Sequence, residues 1–157
     1  DAFFMNILVY DINPSSYIGY GEKIEIKNSV EDLLSNSDII SLHIPYNQDN
    51  YNFLDSNKFS FVKNGAYFIN TSRGEVVDED ILINYLERGI IKGAALDVLH
   101  NDSSWNEKSQ KNKLIDYSRN NHNLIITPHI GGYGKFSIEK TRNFITEKFL
   151  KIHTINN

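Results

Sequence analysis

Cysteine is absent from the 157 residues, which excludes disulfides, thiolate nucleophiles and cysteine metal clusters. A chain without it fits a reducing compartment, and the cytoplasm is the expected location. Positive charge is not in excess either. Sixteen Lys and Arg against twenty Asp and Glu leave a net charge of -4. No basic stripe runs along any segment, so the electrostatic footprint of a nucleic-acid or membrane-surface binder is missing and small molecules are the expected partners. No apolar run reaches the length of a membrane span, and residues 1–6 lack the charged-then-apolar layout of a secretion signal. Internal repeats and low-complexity tracts are also lacking. What remains is an ordinary globular composition, 40% hydrophobic and 23% charged, enough for one domain with a real core.

Five short apolar runs punctuate the chain: Ile7 to Tyr10, Asp38 to Ile44, Ala66 to Asn70, Gly93 to Val98 and Leu124 to Thr127, with Lys23 to Ile26 as a weaker sixth. Their brevity and near-continuous hydrophobicity suit parallel strands covered on both faces. Between them lie amphipathic stretches. Val30, Leu33 and Leu34 make one apolar face; Ile81, Leu82, Tyr85 and Leu86 a second; Ile138, Ile145, Phe149 and Ile152 a third. Asp78 or Glu79 suits the start of the second of these helices, and Gly89 its end. Strands alternating with helices predict an α/β, doubly wound, mostly parallel sheet with helices on both faces. Leu99 to Asn121 breaks the rhythm. It is polar, with only a weak helical patch at Leu114 to Tyr117, and reads equally as a functional loop or an exposed insertion.

Ligands of open α/β sheets bind beyond the carboxyl ends of the strands. Polar residues at those ends are therefore the site candidates. Asp11 closes the first run, where a carboxylate can accept both hydroxyls of an adenosine ribose. No Lys or Arg between Ile12 and Tyr20 waits for a 2'-phosphate, which favours NAD over NADP. The alternative is an Asp that caps a turn with Asn13 and Pro14. His43 and Pro45 follow the second long run as a structural or cofactor-shell pair. Asn70-Thr71-Ser72-Arg73-Gly74 offers an amide, two hydroxyls and a planar cation before a glycine that would let backbone approach a ligand. Arg73 matches a carboxylate with two parallel donors. Asp97 ends an apolar run, where burial demands a donor, and a nicotinamide carboxamide would be one. His129, in Thr127-Pro128-His129-Ile130-Gly131-Gly132, is the leading acid/base, since imidazole titrates nearest neutrality. Asp102 is a carboxylate that could hold its ring.

Together these residues resemble the cofactor domain of the D-isomer-specific 2-hydroxyacid dehydrogenases, the group that includes phosphoglycerate and D-lactate dehydrogenases. The signature runs Phe68-Ile69-Asn70-Thr71-Ser72-Arg73-Gly74-Glu75-Val76-Val77-Asp78, then Leu82, Gly89, Gly93, Ala95-Leu96-Asp97-Val98 and Thr127-Pro128-His129. The resemblance implies a phosphoglycerate dehydrogenase-like NAD oxidoreductase that passes a hydride between the cofactor and a 2-oxo or 2-hydroxy acid. Arg73 would bind the substrate carboxylate, His129 would move the proton, and Asp102 would steady it. Asp11, His43, Pro45, Thr71, Ser72, Asp97, Gly131 and Gly132 would border the cofactor, and no metal is implied. It also implies a homodimer in the complete protein.

Two departures accompany it. The position of Asp102 is usually Glu in the family, one methylene longer, so pairing with His129 requires its loop to move inward. The strand and G-x-G-x-x-G turn that should precede Asp11, and the substrate domain before them, are not in the sequence. The chain therefore reads as an N-terminally truncated dinucleotide-binding domain, residues 1–157, expected to bind NAD feebly alone because that turn supplies the pyrophosphate donors. An inactive remnant, a partner-binding module, or an NADH-sensing domain are the competing readings.

Overall fold

Alternate residues of a strand point to opposite faces, so a sheet packed by helices on one side shows every second residue buried. β3 (Ile39–Leu42) and β4 (Ala66–Asn70) follow that pattern; β5 (Ile91–Leu96) and β6 (Leu124–Ile126) complete the sheet. The structure is a computed structural model that describes residues 4–13, 24–102 and 111–154. Pro14 of the expected Asp11 turn and Lys23 of the weaker sixth run lie outside the described residues. Two further strands, β1 (Ile7–Val9) and β2 (Ile24–Ile26), form a parallel pair with Ile7 opposite Ile24. The other four are parallel in the order β3-β4-β5-β6. This is the α/β, mostly parallel Rossmann-like sheet that the alternation predicted.

One cross-strand row carries the core. Ile40 lies opposite Phe68, Phe68 opposite Ala94 and Ala94 opposite Leu124, all buried. Against them pack Leu34 of α1 (Val30–Asn36), Phe59 of α2 (Ser56–Phe59), Leu82 and Leu86 of α3 (Glu79–Glu87) and Leu114 of α4 (Lys113–Asn120). Phe59 meets the ring of Tyr85 at 5.2 Å and that of Phe68 at 6.1 Å. Each large apolar side chain so enclosed contributes about 1.5–3 kcal/mol. The row on the opposite face, Ser41, Ile69, Ala95 and Ile125, is less covered, and Ile125 is 64% exposed.

Helix boundaries follow from side-chain caps. Ser29, Asp55, Asp78 and Asn112 each accept a backbone N–H of the first turn of α1, α2, α3 and α4. At the other end of α3, Gly89 takes φ +68 directly after Arg88, the left-handed stop expected there. β3 ends at Leu42, short of the expected Ile44. α4 is longer than the Leu114 to Tyr117 patch suggested. α5 (Lys135–Thr154) corrects the reading of its apolar face as a core-facing stripe: Ile138 is half-buried, but Ile145 and Phe149 are exposed. Phe136, Phe144 and Leu150 are exposed as well, so apolar residues lie outside the anticipated stripe.

Candidate active site

Parallel strands in register bring their carboxyl ends to one edge, and that edge carries most of the candidates. β4 and β6 flank β5, so the ends bearing Arg73 and His129 stand roughly 10 Å apart, two strand spacings. At the end of β3, His43 Nε2 lies 2.9 Å from Ser41 Oγ. Pro45 lies beyond the strand, and its carbonyl accepts from Asn50 Nδ2 at 2.9 Å. His43, Ile44, Pro45 and Tyr46 face Ser72 and Arg73 across an open cleft of about 380 Å³.

The Arg73 turn is built by Asn70. Its buried amide accepts the Ser72 N–H and hydroxyl through Oδ1, both at 2.9 Å, and donates through Nδ2 to the Arg73 carbonyl at 2.9 Å. The amide and the Ser72 hydroxyl thus act first as scaffold, a side-chain turn that Asn at a strand end makes well. Arg73 remains exposed and Nη1 donates to the Ser72 carbonyl at 2.6 Å. A guanidinium has five donors, so the others remain for a ligand. Thr71 is exposed beside it. Gly74 corrects its sequence reading: a Cβ there would lie 2.1 Å from the Leu99 carbonyl carbon and 2.3 Å from the His100 nitrogen. The glycine admits this chain's own backbone, not a ligand.

That close approach seats the loop after β5. Asp102 is buried, its Oδ2 accepting the Leu99 N–H at 3.0 Å and standing 3.1 Å from His129 Nδ1. The shorter carboxylate does reach the ring, because the Leu99–Asp102 turn folds inward against Gly74. His129 is held from below by Asp97. This buried carboxylate accepts from the Thr127 hydroxyl and the Ile130 N–H through Oδ1, and from the Gly131 N–H at 2.7 Å through Oδ2. Burial pushes its pKa up; the Thr127 hydroxyl, the Gly131 and Ile130 amides and nearby His129 outweigh that and hold it below the ordinary value. The donors that Asp97 needs come from the chain itself.

Gly131 is glycine for a local reason, since a Cβ would sit 2.8 Å from Asp97 Oδ2, whereas Gly132 has open space around it. His129 takes φ +54, uncommon for a side-chain-bearing residue. The Asp97-anchored turn sustains that conformation. His129 Nε2 has no partner among the described residues. Asp11 lies apart from this cluster, at the end of β1, where Oδ1 accepts the Asn13 N–H at 2.7 Å. Its turn-capping role is therefore present whatever else it binds. Among the described residues no cluster of His, Cys, Asp or Glu could hold a metal ion.

Comparison with known proteins decides what kind of edge this is. The NAD-binding domain of the D-isomer specific 2-hydroxyacid dehydrogenases matches residues 1–131. The chain belongs to that family. A D-lactate dehydrogenase of Staphylococcus epidermidis is 34% identical over 150 residues, 92% of this chain and 43% of that protein. A putative D-3-phosphoglycerate dehydrogenase of Schizosaccharomyces pombe is 36% identical over 139 residues, 84% of this chain and 28% of that protein. The NAD-complexed D-isomer specific 2-hydroxyacid dehydrogenase of Lactobacillus delbrueckii ssp. bulgaricus superposes with a TM-score of 0.83 at 29% identity. The match covers 98% of this chain and 47% of that one. D-Lactate dehydrogenase from Aquifex aeolicus, complexed with NAD and lactic acid, gives 0.74 at 31% identity, covering 96% and 47%. The chain thus spans under half the length of the relatives it matches. As a 2-hydroxyacid dehydrogenase NAD-binding domain, it has NAD as its cofactor.

Proposed function

We propose that this domain serves an NAD-dependent dehydrogenase of D-2-hydroxy acids in which Arg73 grips the substrate carboxylate and His129, steadied by Asp102, is the acid/base. One observation carries the reading: Asp102 bonds His129 on a loop whose backbone rests on Gly74, the residue after Arg73. The two groups that must cooperate are braced by the same few residues.

The residues present suit NAD. Ile44 and Pro45 give the cleft an apolar wall against which a planar ring can lie, and Arg73 provides the cation at its rim. Asp11 would meet the adenosine ribose, as the family resemblance implies, while His43, Thr71, Ser72, Asp97, Gly131 and Gly132 would border the nicotinamide half. Bound NAD(H) supplies the hydride acceptor or donor. Arg73 orients the acid through two parallel hydrogen bonds and offsets negative charge on the reacting oxygen. With Nδ1 bonded to Asp102, His129 turns Nε2 to the substrate, giving its proton in reduction and taking it in oxidation. A homodimer and a cytoplasmic location complete this reading; sedimentation of the purified protein checks the first.

The test is oxidation of NADH over a panel of 2-oxo acids, pyruvate and phosphohydroxypyruvate among them, by the protein completed to the length of its relatives. One preorganised charge donor is worth about 3 to 4 kcal/mol, so Arg73→Ala should slow turnover roughly a hundredfold or more. Ordinary turnover by that variant would sink the proposal. NADH binding without reduction of any 2-oxo acid would instead favour a sensing domain.

A further inference from the structure

Two carboxylates outside the proposed reaction centre hold the loop that carries Asp102. Glu79, in the first turn of α3, accepts the His100 N–H through Oε1 at 2.8 Å and Asn112 Nδ2 through Oε2 at 2.7 Å. Glu75, in the short 3-10 turn after Arg73, accepts the Asn101 N–H through Oε1 at 3.1 Å. A third tie joins His100 Nε2 to the Val77 carbonyl at 3.1 Å. The three bonds to His100 and Asn101 span 21 to 26 residues of sequence and run from the segment behind Arg73 to the segment before Asp102, while the bond to Asn112 spans 33.

The loop needs such ties. Asn101 sits at φ +58, in the left-handed region that Asn tolerates better than other side-chain-bearing residues, and a turn of that kind is fixed by the bonds its neighbours make. Hydrogen bonds from backbone N–H to a charged acceptor are the stronger kind. Glu79 makes one of them and also holds Asn112, which caps α4, so a single side chain joins α3, the Asp102 loop and the start of α4.

We propose that Glu79, assisted by Glu75, is a positioning residue for the acid/base pair: it fixes the Leu99–Asp102 loop and thereby which nitrogen of His129 carries the proton. The inference rests on the reading of Asp102 and His129 as that pair. Neither glutamate touches the ring. They act through Asp102, whose bond to Nδ1 sets the tautomer and leaves Nε2 for the substrate.

The experiment is 15N NMR of the neutral His129 ring, which distinguishes a proton on Nδ1 from one on Nε2. Asp102→Ala is the reference: it removes the oxygen that accepts at Nδ1 and should move the proton to Nε2. Glu79→Ala should do the same in a folded protein, while Glu79→Gln, whose amide oxygen still accepts from His100, should restore the wild-type signature. In parallel, Glu79→Ala should lower kcat about tenfold with KM for the 2-oxo acid within about twofold, as expected when a reacting group is displaced but the substrate grip is kept. A Glu79→Ala protein with an unchanged ring signature, beside an Asp102→Ala protein that has lost it, overturns the proposal and leaves the acid/base pair standing. An unchanged signature in Asp102→Ala overturns the pair itself. Should Glu79→Ala not fold, Glu75→Ala is read in the same way, and an unshifted ring there overturns the proposal.

Discussion

Replacing Gly74 with alanine would drive a methyl group into the Leu99–His100 peptide: 2.1 Å from the Leu99 carbonyl carbon, 2.4 Å from its oxygen and 2.3 Å from the His100 nitrogen. Ordinary contact begins near 3.4 Å, so the Arg73 turn and the Asp102 loop must part by about 1.3 Å, the difference between 3.4 and 2.1. No flexible side chain is available to move aside. Overpacking in a filled interior costs typically about 1–3 kcal/mol, and a clash with backbone belongs at or above the upper end. At about 3 kcal/mol, with each kcal/mol worth roughly 2–4 °C in a domain of this size, Tm should fall by about 6–12 °C. A second effect follows from the same displacement. An ångström of misplacement can cost about a hundredfold in rate, so turnover should fall even well below the new Tm. Thermal unfolding followed by circular dichroism measures the first effect, with Gly132→Ala, where a Cβ meets nothing, as the stability control. If Gly74→Ala melts within about 2 °C of wild type, the close approach of the two loops is wrong.

Asp97→Asn should lower stability at neutral pH by about 1.5–3 kcal/mol, because its carboxylate accepts three protein donors. Its folded-state pKa is depressed, so its stabilisation is complete above the unfolded value of about 3.9 and is lost as pH falls through the folded value; urea unfolding from pH 7 down to 3 should show a shallower acid loss in the variant. His129→Asn should cut turnover by about a hundredfold or more while leaving NADH binding, read by fluorescence, near wild type. Asp11→Ala should weaken NADH by about tenfold or more, the worth of a charge-assisted bond to the ribose, in the same titration. Asp55→Ala removes the cap of α2 and should cost about 1 kcal/mol by urea denaturation.

Strands and caps were legible because their signals are local. Gly89, Asp78 and the apolar runs all act within a few residues of themselves, and β3 to β6 appear where the hydrophobic runs stand. β3 stops at Leu42 because its partner β4 ends opposite it at Asn70, where the chain turns toward Arg73, a boundary that apolar character alone obscured. The α2 cap at Asp55 was overlooked, since a four-residue helix leaves hardly any periodicity to see. The exposed apolar residues of α5 show a limit of another sort: spacing reveals which face is apolar but not whether an element lies against it. In the candidate site, Arg73, His129 and Asp102 stand out in the sequence by residue type and position, and the Asp102–His129 contact is the part the geometry adds. Glu75 and Glu79 were not, because their partners lie 21 to 33 residues away and a surface-type Glu at a helix start looks like dipole decoration. Gly74 was noticed for the wrong reason; only coordinates tell which backbone comes near.

His129 keeps 36% of its side chain open to solvent, while its Nδ1 edge is fastened to a nearly enclosed Asp102. On the proposed reading of His129 as the acid/base, protons used in reduction would be replenished straight from bulk water at the open side of the ring, without a wire of relaying side chains. Such an arrangement frees the interior from supplying a conduit, and the rate of recharging should follow buffer concentration, not the identity of distant polar residues.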